Sequence, residues 1–391
     1  MKALEGIRVL DLSRVLAGPY CTMMLADFGA DVIKIEAPKV GDDSRAYGPF
    51  IGKESAYFMS LNRNKRSITL NLKSKAQCDL FRELVKHADV VVENYRPGTM
   101  EKFGLGYDEL KKINPKLIYA ACSGFGATGP YTDKPAYDII VQAMGGIMSI
   151  TGEEGGEPTR VGASVGDITA GMFTAFGVMT ALFHRARTGE GQHVDVGMLD
   201  CQVAILENAI SRYVTSGVVP GPLGNRHPSI TPFAAFTAKD GHIIVGAGND
   251  RLWQRLCTLL GTPELIEDPR FITNGKRTEN VKELVVLLNK SFATKTINEW
   301  LGLLEEAGLP CAPINTIDKI LADPQVNARD MIVELDHPIA GKLKVPGVPV
   351  KLSATPGAVE THAPLLGEHN SEVLKEVLGW DEAKTKAFFA E

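Results

Sequence analysis

The sequence predicts an α/β protein with a parallel sheet, followed by a smaller α+β region, on two observations. Strand-like runs alternate with helical periodicity through the first half of the chain. The texture then changes at residues 217–228, where Pro220, Gly221, Pro222, Gly224 and Pro228 crowd together as a linker or domain crossing.

Residues 7–12 (IRVLDL) read as a strand, and Pro19 suits the first position of a helix running to about residue 28. Gly29 stops that helix, and residues 31–36 (DVIKIE) are the next strand. Strand, helix and strand with short connections form a βαβ unit, hence a parallel sheet. Residues 67–72 alternate like a strand, 75–87 are helical, 89–92 a short buried strand, 107–113 a helix and 117–121 another strand. After a long small-and-apolar run, 191–196 reads as a strand and 198–216 as one helix. Beyond the linker, 232–247 predicts a hairpin turning at Lys239-Asp240-Gly241, with helices near 250–260, 280–292 and 297–307. Residues 333–349 are β-like, and the tail from Ser371 is helical. The expected divisions are 1–216 for a large domain, 217–325 for a small one and 326–391 for a segment returning to the first.

With 391 residues, 44% hydrophobic and 23% charged, the chain has the composition of a soluble globular protein of about two domains. A net charge of −5 argues against general nucleic-acid binding, so an anionic ligand must be met by local basic residues. Six cysteines without a C-x-x-C pair fit reduced thiols and a cytoplasmic location. The eight histidines show no metal-ligand spacing, so no metal is expected. The start carries no apolar signal region. The one uncharged stretch near membrane-span length follows Asp167; rich in Gly, Ala and Thr, it reads as a buried helix, and no membrane is expected.

Asp167 is the only charged side chain between Arg160 and His184, just after Gly166. It reads either as a helix N-cap or as a nucleophile on a glycine-relieved turn, and the two are compatible. Gly162-Ala163-Ser164-Val165-Gly166 also matches the G-x-S-x-G serine elbow. That motif needs a strand before it, whereas residues 152–158 read as a polar turn. Lys34, Lys39, Arg45, Arg63, Lys65, Arg66 and Lys73 cluster in and around the early strands, as a phosphate site or a solvated face. Asn94-Tyr95-Arg96-Pro97-Gly98 follows a strand at its carboxyl end, where open α/β sheets bind ligands. Tyr137 reads as a site residue or a core tyrosine, and Arg226 beside His227 as a carboxylate clamp. The G-x-G-x-x-G fingerprint is absent after the first strand, so no nicotinamide dinucleotide is implied.

Taken together, the chain resembles the class III CoA-transferases of the CaiB/BaiF type over nearly its whole length. The resemblance rests on residues 10–19 (LDLSRVLAGP), 29–36 (GADVIKIE), 62–67 (NRNKRS), 92–98 (VENYRPG), 134–138 (KPAYD), Gly166-Asp167 and 364–369 (PLLGEH). It implies a Rossmann-like large CoA-binding domain built from both ends of the chain, a small middle domain and an interlocked homodimer. It implies coenzyme A thioester as substrate, with no metal, nicotinamide or flavin, and Asp167 as the nucleophile that carries an aspartyl-CoA thioester. By the same resemblance Val15, Leu16, Leu70, Asn71, Leu72, Lys73, Asn94, Tyr95, Arg96, Lys102 and Lys134 are CoA contacts. Ala37 stands where formyl-CoA:oxalate enzymes carry an arginine, so that phosphate contact falls to Lys39. Tyr47, Tyr137, Arg226 and His227 are the expected substrate contacts. The related α-methylacyl-CoA racemases are the alternative; they use a histidine near the position of Tyr137, whose phenol, with an ordinary pKa of about 10, suits proton abstraction poorly. Residues 232–236 and 241–249 look closer to succinyl-CoA-dependent dicarboxylate transferases such as the glutarate enzyme.

Overall fold

The computed structural model describes residues 1–390, which fold as two compact units. The first comprises Met1–Ile147, Arg160–Ser211 and Pro324–Glu391, and the second Met148–Thr159 and Arg212–Asp323.

Six parallel strands form the sheet of the first unit: β1 (Arg8–Asp11), β2 (Asp31–Glu36), β3 (Lys65–Thr69), β4 (Val90–Glu93), β5 (Ile118–Ser123) and β6 (His193–Gly197). Their order is β3-β2-β1-β4-β5-β6. This doubly wound order reverses direction between β1 and β4 and leaves a crevice beyond their carboxyl ends. Alternate side chains of each strand feed opposite layers. Leu10, Ile33 and Val91 pack with Phe81 and Leu84 of the helix Lys75–Val85 and with Val373 of the helix Asn370–Leu378. Val9, Val32, Val90 and Ile118 face Leu25 of α1 (Ala17–Asp27) and Val178 of the long helix Val165–Thr188. Burial on both faces explains the continuous apolar runs at residues 90–92 of β4 and 118–122 of β5.

The expected β3 stood at 67–72, two residues late. Lys65 and Arg66 disguise the strand start, yet Lys65 is buried against Asp11 (3.1 Å) and Arg66 pairs with Asp31 (2.6 Å). Three other early cations behave similarly, whereas Lys39 and Lys73 are exposed. Lys34 meets Asp42 at 2.8 Å, Arg45 meets Glu36 at 2.7 Å and Arg63 meets Asp27 at 2.8 Å. Buried charges require partners, so these residues are neither a solvated face nor a free phosphate site. Helix α1 begins at Ala17, two residues ahead of the expected Pro19 start; proline is still tolerated there, because a first-turn N–H has no intrahelical partner. The stretch expected as one helix over 198–216 breaks into Met198–Ala204 and Ala209–Ser216, with Glu207 in the left-handed region (φ 53°).

In the second unit the hairpin Phe233–Ala238 and Gly241–Gly246 turns at Lys239-Asp240, and Cys311–Pro313 extends it to a three-stranded antiparallel sheet. Helices Asp250–Leu260, Val281–Phe292 and Ile297–Glu306 cover it. Phe292 stacks on Phe236 at 5.0 Å and accepts a 2.7 Å hydrogen bond at its carbonyl from the Trp300 indole.

Candidate active site

The crevice at the reversal point holds two adjoining clefts of about 250 Å3 each, both lined by Arg14, Asp43 and Tyr95. The first lies over the ends of β1, β4 and β5 and contains Asp167 together with Val15, Leu16, Asn94, Arg96 and Lys134. Tyr47 and Tyr137 line it as well. The second lies over the ends of β2 and β3 and is lined by Leu70, Asn71, Leu72 and Lys73. The structure therefore gathers most of the sequence-selected residues around one crevice. Lys39 and Lys102 are exposed and line neither cleft, although the neighbours Ala37, Val40, Thr99 and Phe103 line the second. Arg226 and His227 belong to the second unit, where Arg226 pairs with Glu154 (3.2 Å) and His227 meets the Phe233 ring edge-on.

Asp167 sits in the first turn of the long helix Val165–Thr188, and the N-cap is Ser164. The N-cap expectation for Asp167 is thus corrected. Ser164 makes no side-chain capping bond; instead Asp138 reaches across and accepts the Gly166 N–H at 2.8 Å. Asp138 also accepts from Gln142 at 2.8 Å and pairs with Arg160 at 3.4 Å. Gly166 is required here, since a Cβ would stand 2.7 Å from Val141 and 2.9 Å from the Asp138 carboxylate. Asp138 takes the capping work, and the Asp167 carboxylate is left for other chemistry. Among the described residues nothing donates a hydrogen bond to it. Burial, and then the nearby Asp138 charge, raise its pKa from the ordinary 3.8 to about 7.

Tyr137 is not a core tyrosine: it is 74% exposed and precedes the helix Asp138–Met144. Tyr47 meets Tyr57 edge-on at 5.8 Å. Burial, and then the Asp167 charge, push the Tyr57 hydroxyl up to about 12. Tyr57 lies within the short, mostly apolar helix Ala56–Leu61 and was not singled out from sequence. No strand precedes Ser164, so the serine-elbow geometry is absent. Among the described residues no group of three His, Cys, Asp or Glu side chains is placed to hold a metal ion.

A doubly wound sheet with a crevice at its reversal point defines a nucleotide-cofactor type of fold, and the carboxylate of Asp167 lies in that crevice. Comparison with known proteins places it further. The description "CoA-transferase family III" matches residues 4–370, and the chain belongs to that family. It is 44% identical to the succinyl-CoA:glutarate CoA-transferase of Mus musculus, over 98% of this chain and 88% of that protein. It is also 44% identical to the acetyl-CoA:oxalate CoA-transferase of Acetobacter aceti, over 95% of each. A crystal structure of a CaiB/BaiF family protein from Brucella suis superposes with a TM-score of 0.86 at 40% identity, covering 96% of this chain and 99% of that one. The chain is a class III CoA-transferase, acting on CoA thioesters and carboxylic acids.

Proposed function

We propose that this enzyme moves CoA from an acyl-CoA donor, succinyl-CoA foremost, to a short carboxylic or dicarboxylic acid through an aspartyl-CoA thioester on Asp167. The observation that carries the reading is the Asp167 carboxylate itself, in the crevice and accepting no hydrogen bond among the described residues. The names of the similar glutarate and oxalate enzymes support the substrate class.

The Asp167 carboxylate attacks the thioester carbonyl, forming a mixed anhydride and releasing CoA thiolate. The thiolate attacks the aspartyl carbonyl, which forms the aspartyl-CoA thioester and frees the donor acid. The acceptor carboxylate then attacks that thioester, and the released thiolate takes the acceptor acyl group from the new anhydride, restoring Asp167. Each step exchanges one acyl bond for another, so neither ATP nor a metal is needed. A carboxyl group that titrates near 7 is more basic than an ordinary carboxylate and attacks more readily. Water must be excluded, since it would hydrolyse both intermediates. CoA lies along the two clefts against Leu70–Lys73 and Asn94–Arg96, with Tyr47 and Tyr137 at the acyl end.

The enzyme acts as an interlocked homodimer in the cytoplasm. Met172, Phe176, Met179 and Phe183, spaced four, three and four apart, form one exposed face of the helix Val165–Thr188, with Phe176 70% and Phe183 66% exposed. That face departs from the buried helix expected from sequence. Although the helix is long and apolar enough to cross a membrane by length and composition, a seam with this spacing fits a partner helix.

The test is exchange of isotopic label from succinate, glutarate, mesaconate and oxalate into the thioester pool, with succinyl-CoA or acetyl-CoA as donor. Exchange into at least one dicarboxylate, abolished by Asp167→Ala, is expected. CoA binding without exchange, or solvent deuterium entering the α-carbon of a 2-methylacyl-CoA with no acceptor acid, would overturn the reading.

A further inference from the structure

Val15 lines the catalytic cleft with φ at 66°, a left-handed conformation that β-branched residues almost never adopt. Such a conformation persists only when its surroundings impose it. Here the constraint comes from beneath. Asp42 accepts the Val15 N–H at 3.0 Å, and the fully buried Lys34 ammonium donates to the Ser13 carbonyl at 2.8 Å. Lys34 and Asp42 pair at 2.8 Å with almost no solvent contact. Asp42 is fixed in turn by the Ser44 N–H (2.8 Å) and hydroxyl (2.7 Å), while its own N–H donates to Glu36 at 3.0 Å. Asn94 clamps the intervening peptide from the other side, accepting the Arg14 N–H and donating to the Arg14 carbonyl, both at 2.8 Å.

We propose that Lys34 and Asp42 are positioning residues for CoA: the buried pair holds the Ser13–Val15 loop in the strained shape that forms the wall of the CoA cleft. Asp42 also borders the second cleft, but its side chain is almost wholly out of solvent, so the pair acts through the loop. Burial alone would raise the Asp42 carboxyl, yet the Lys34 ammonium and Ser44 donors hold it well below the carboxylate range, so the clamp stays charged throughout the working pH range. The inference rests on the reading of the crevice as the CoA site.

The experiment is a cycle of Asp42→Ala and Val15→Gly, with CoA binding measured by calorimetry on the full chain. Glycine adopts a positive φ without penalty, so it removes the need for the clamp. Asp42→Ala is expected to weaken CoA binding about tenfold or more when Val15 is present, the population penalty of a left-handed β-branched residue. In the Val15→Gly background the same change is expected to weaken it no more than about threefold. Equal weakening in both backgrounds, or none in either, overturns the proposal. Where Asp42→Ala does not fold because Lys34 is left unpaired, Lys34→Met with Asp42→Leu removes both charges at once, and the same cycle is run on it. Lys73→Ala and Lys134→Ala, which leave the loop alone, separate the two readings. If they weaken CoA binding while Asp42→Ala does not, the clamp is wrong and the CoA site stands; if none of the three matters, the site itself is wrong.

Discussion

Replacing Asp167 by asparagine should make the protein more stable, by an amount that grows with pH. Burial and the Asp138 charge raise this carboxyl from 3.8 to about 7, so the folded state binds its proton more tightly than the unfolded chain does. The stabilisation from that proton is complete below about pH 4, declines as pH rises and is gone above about 7. At about 1.4 kcal/mol per tenfold in affinity, the ceiling is about 4 kcal/mol. The side chain borders an open cleft, and solvent screening cuts the expected difference to about 2 kcal/mol. Urea unfolding of the wild type and Asp167→Asn, followed by circular dichroism at steps from pH 4 to 8, measures it. The curves should coincide near pH 4 and separate to a plateau above pH 7, the variant being the more stable. A difference independent of pH, or a less stable variant at pH 8, would refute the assignment of a desolvated, unpartnered carboxylate.

Asp138→Asn keeps an acceptor for the Gly166 N–H but removes the charge, so the acidic limb of the pH–rate profile should move to lower pH. Because burial is the larger cause, the limb should stay above the ordinary carboxylate range. Gly166→Ala drives a methyl into Val141 and Asp138 and should destabilise by about 1–3 kcal/mol while lowering kcat, read by thermal melting and steady-state rates. Glu93, buried under the Tyr95 loop, is raised to about 8, first by burial; Glu93→Gln should therefore be more stable than wild type at pH 9 and converge with it near pH 4 in thermal melts. Phe176→Glu with Phe183→Glu should shift the sedimentation profile from the proposed dimer to monomer or aggregate; an unchanged dimer would remove the helix Val165–Thr188 from the interface.

The parallel sheet was legible because strands buried on both faces are written as apolar runs, as in residues 90–92 and 118–122. Asp167, alone in an uncharged run, was legible for the same reason of contrast. The start of β3 was not, because Lys65 and Arg66 read as surface until the distant Asp11 and Asp31 neutralise them. Asp42 looks like an ordinary turn residue; that it pairs with a lysine inside β2 depends on a tertiary contact no local pattern records. Likewise the division of cap and proposed nucleophile between Asp138 and Asp167 depends on two helix starts meeting, and their separation in sequence hides it. The break at Glu207 interrupts a periodicity that continues on either side of it, so one helix was expected where two exist.

The central claim is that one carboxylate carries CoA. Incubating the enzyme with its acyl-CoA, trapping with hydroxylamine or borohydride and mapping the product by peptide mass spectrometry tests it most directly. A modification confined to Asp167, and lost when the thioester is omitted, is the predicted result. Modification at another residue, or full turnover in Asp167→Ala, would contradict the account.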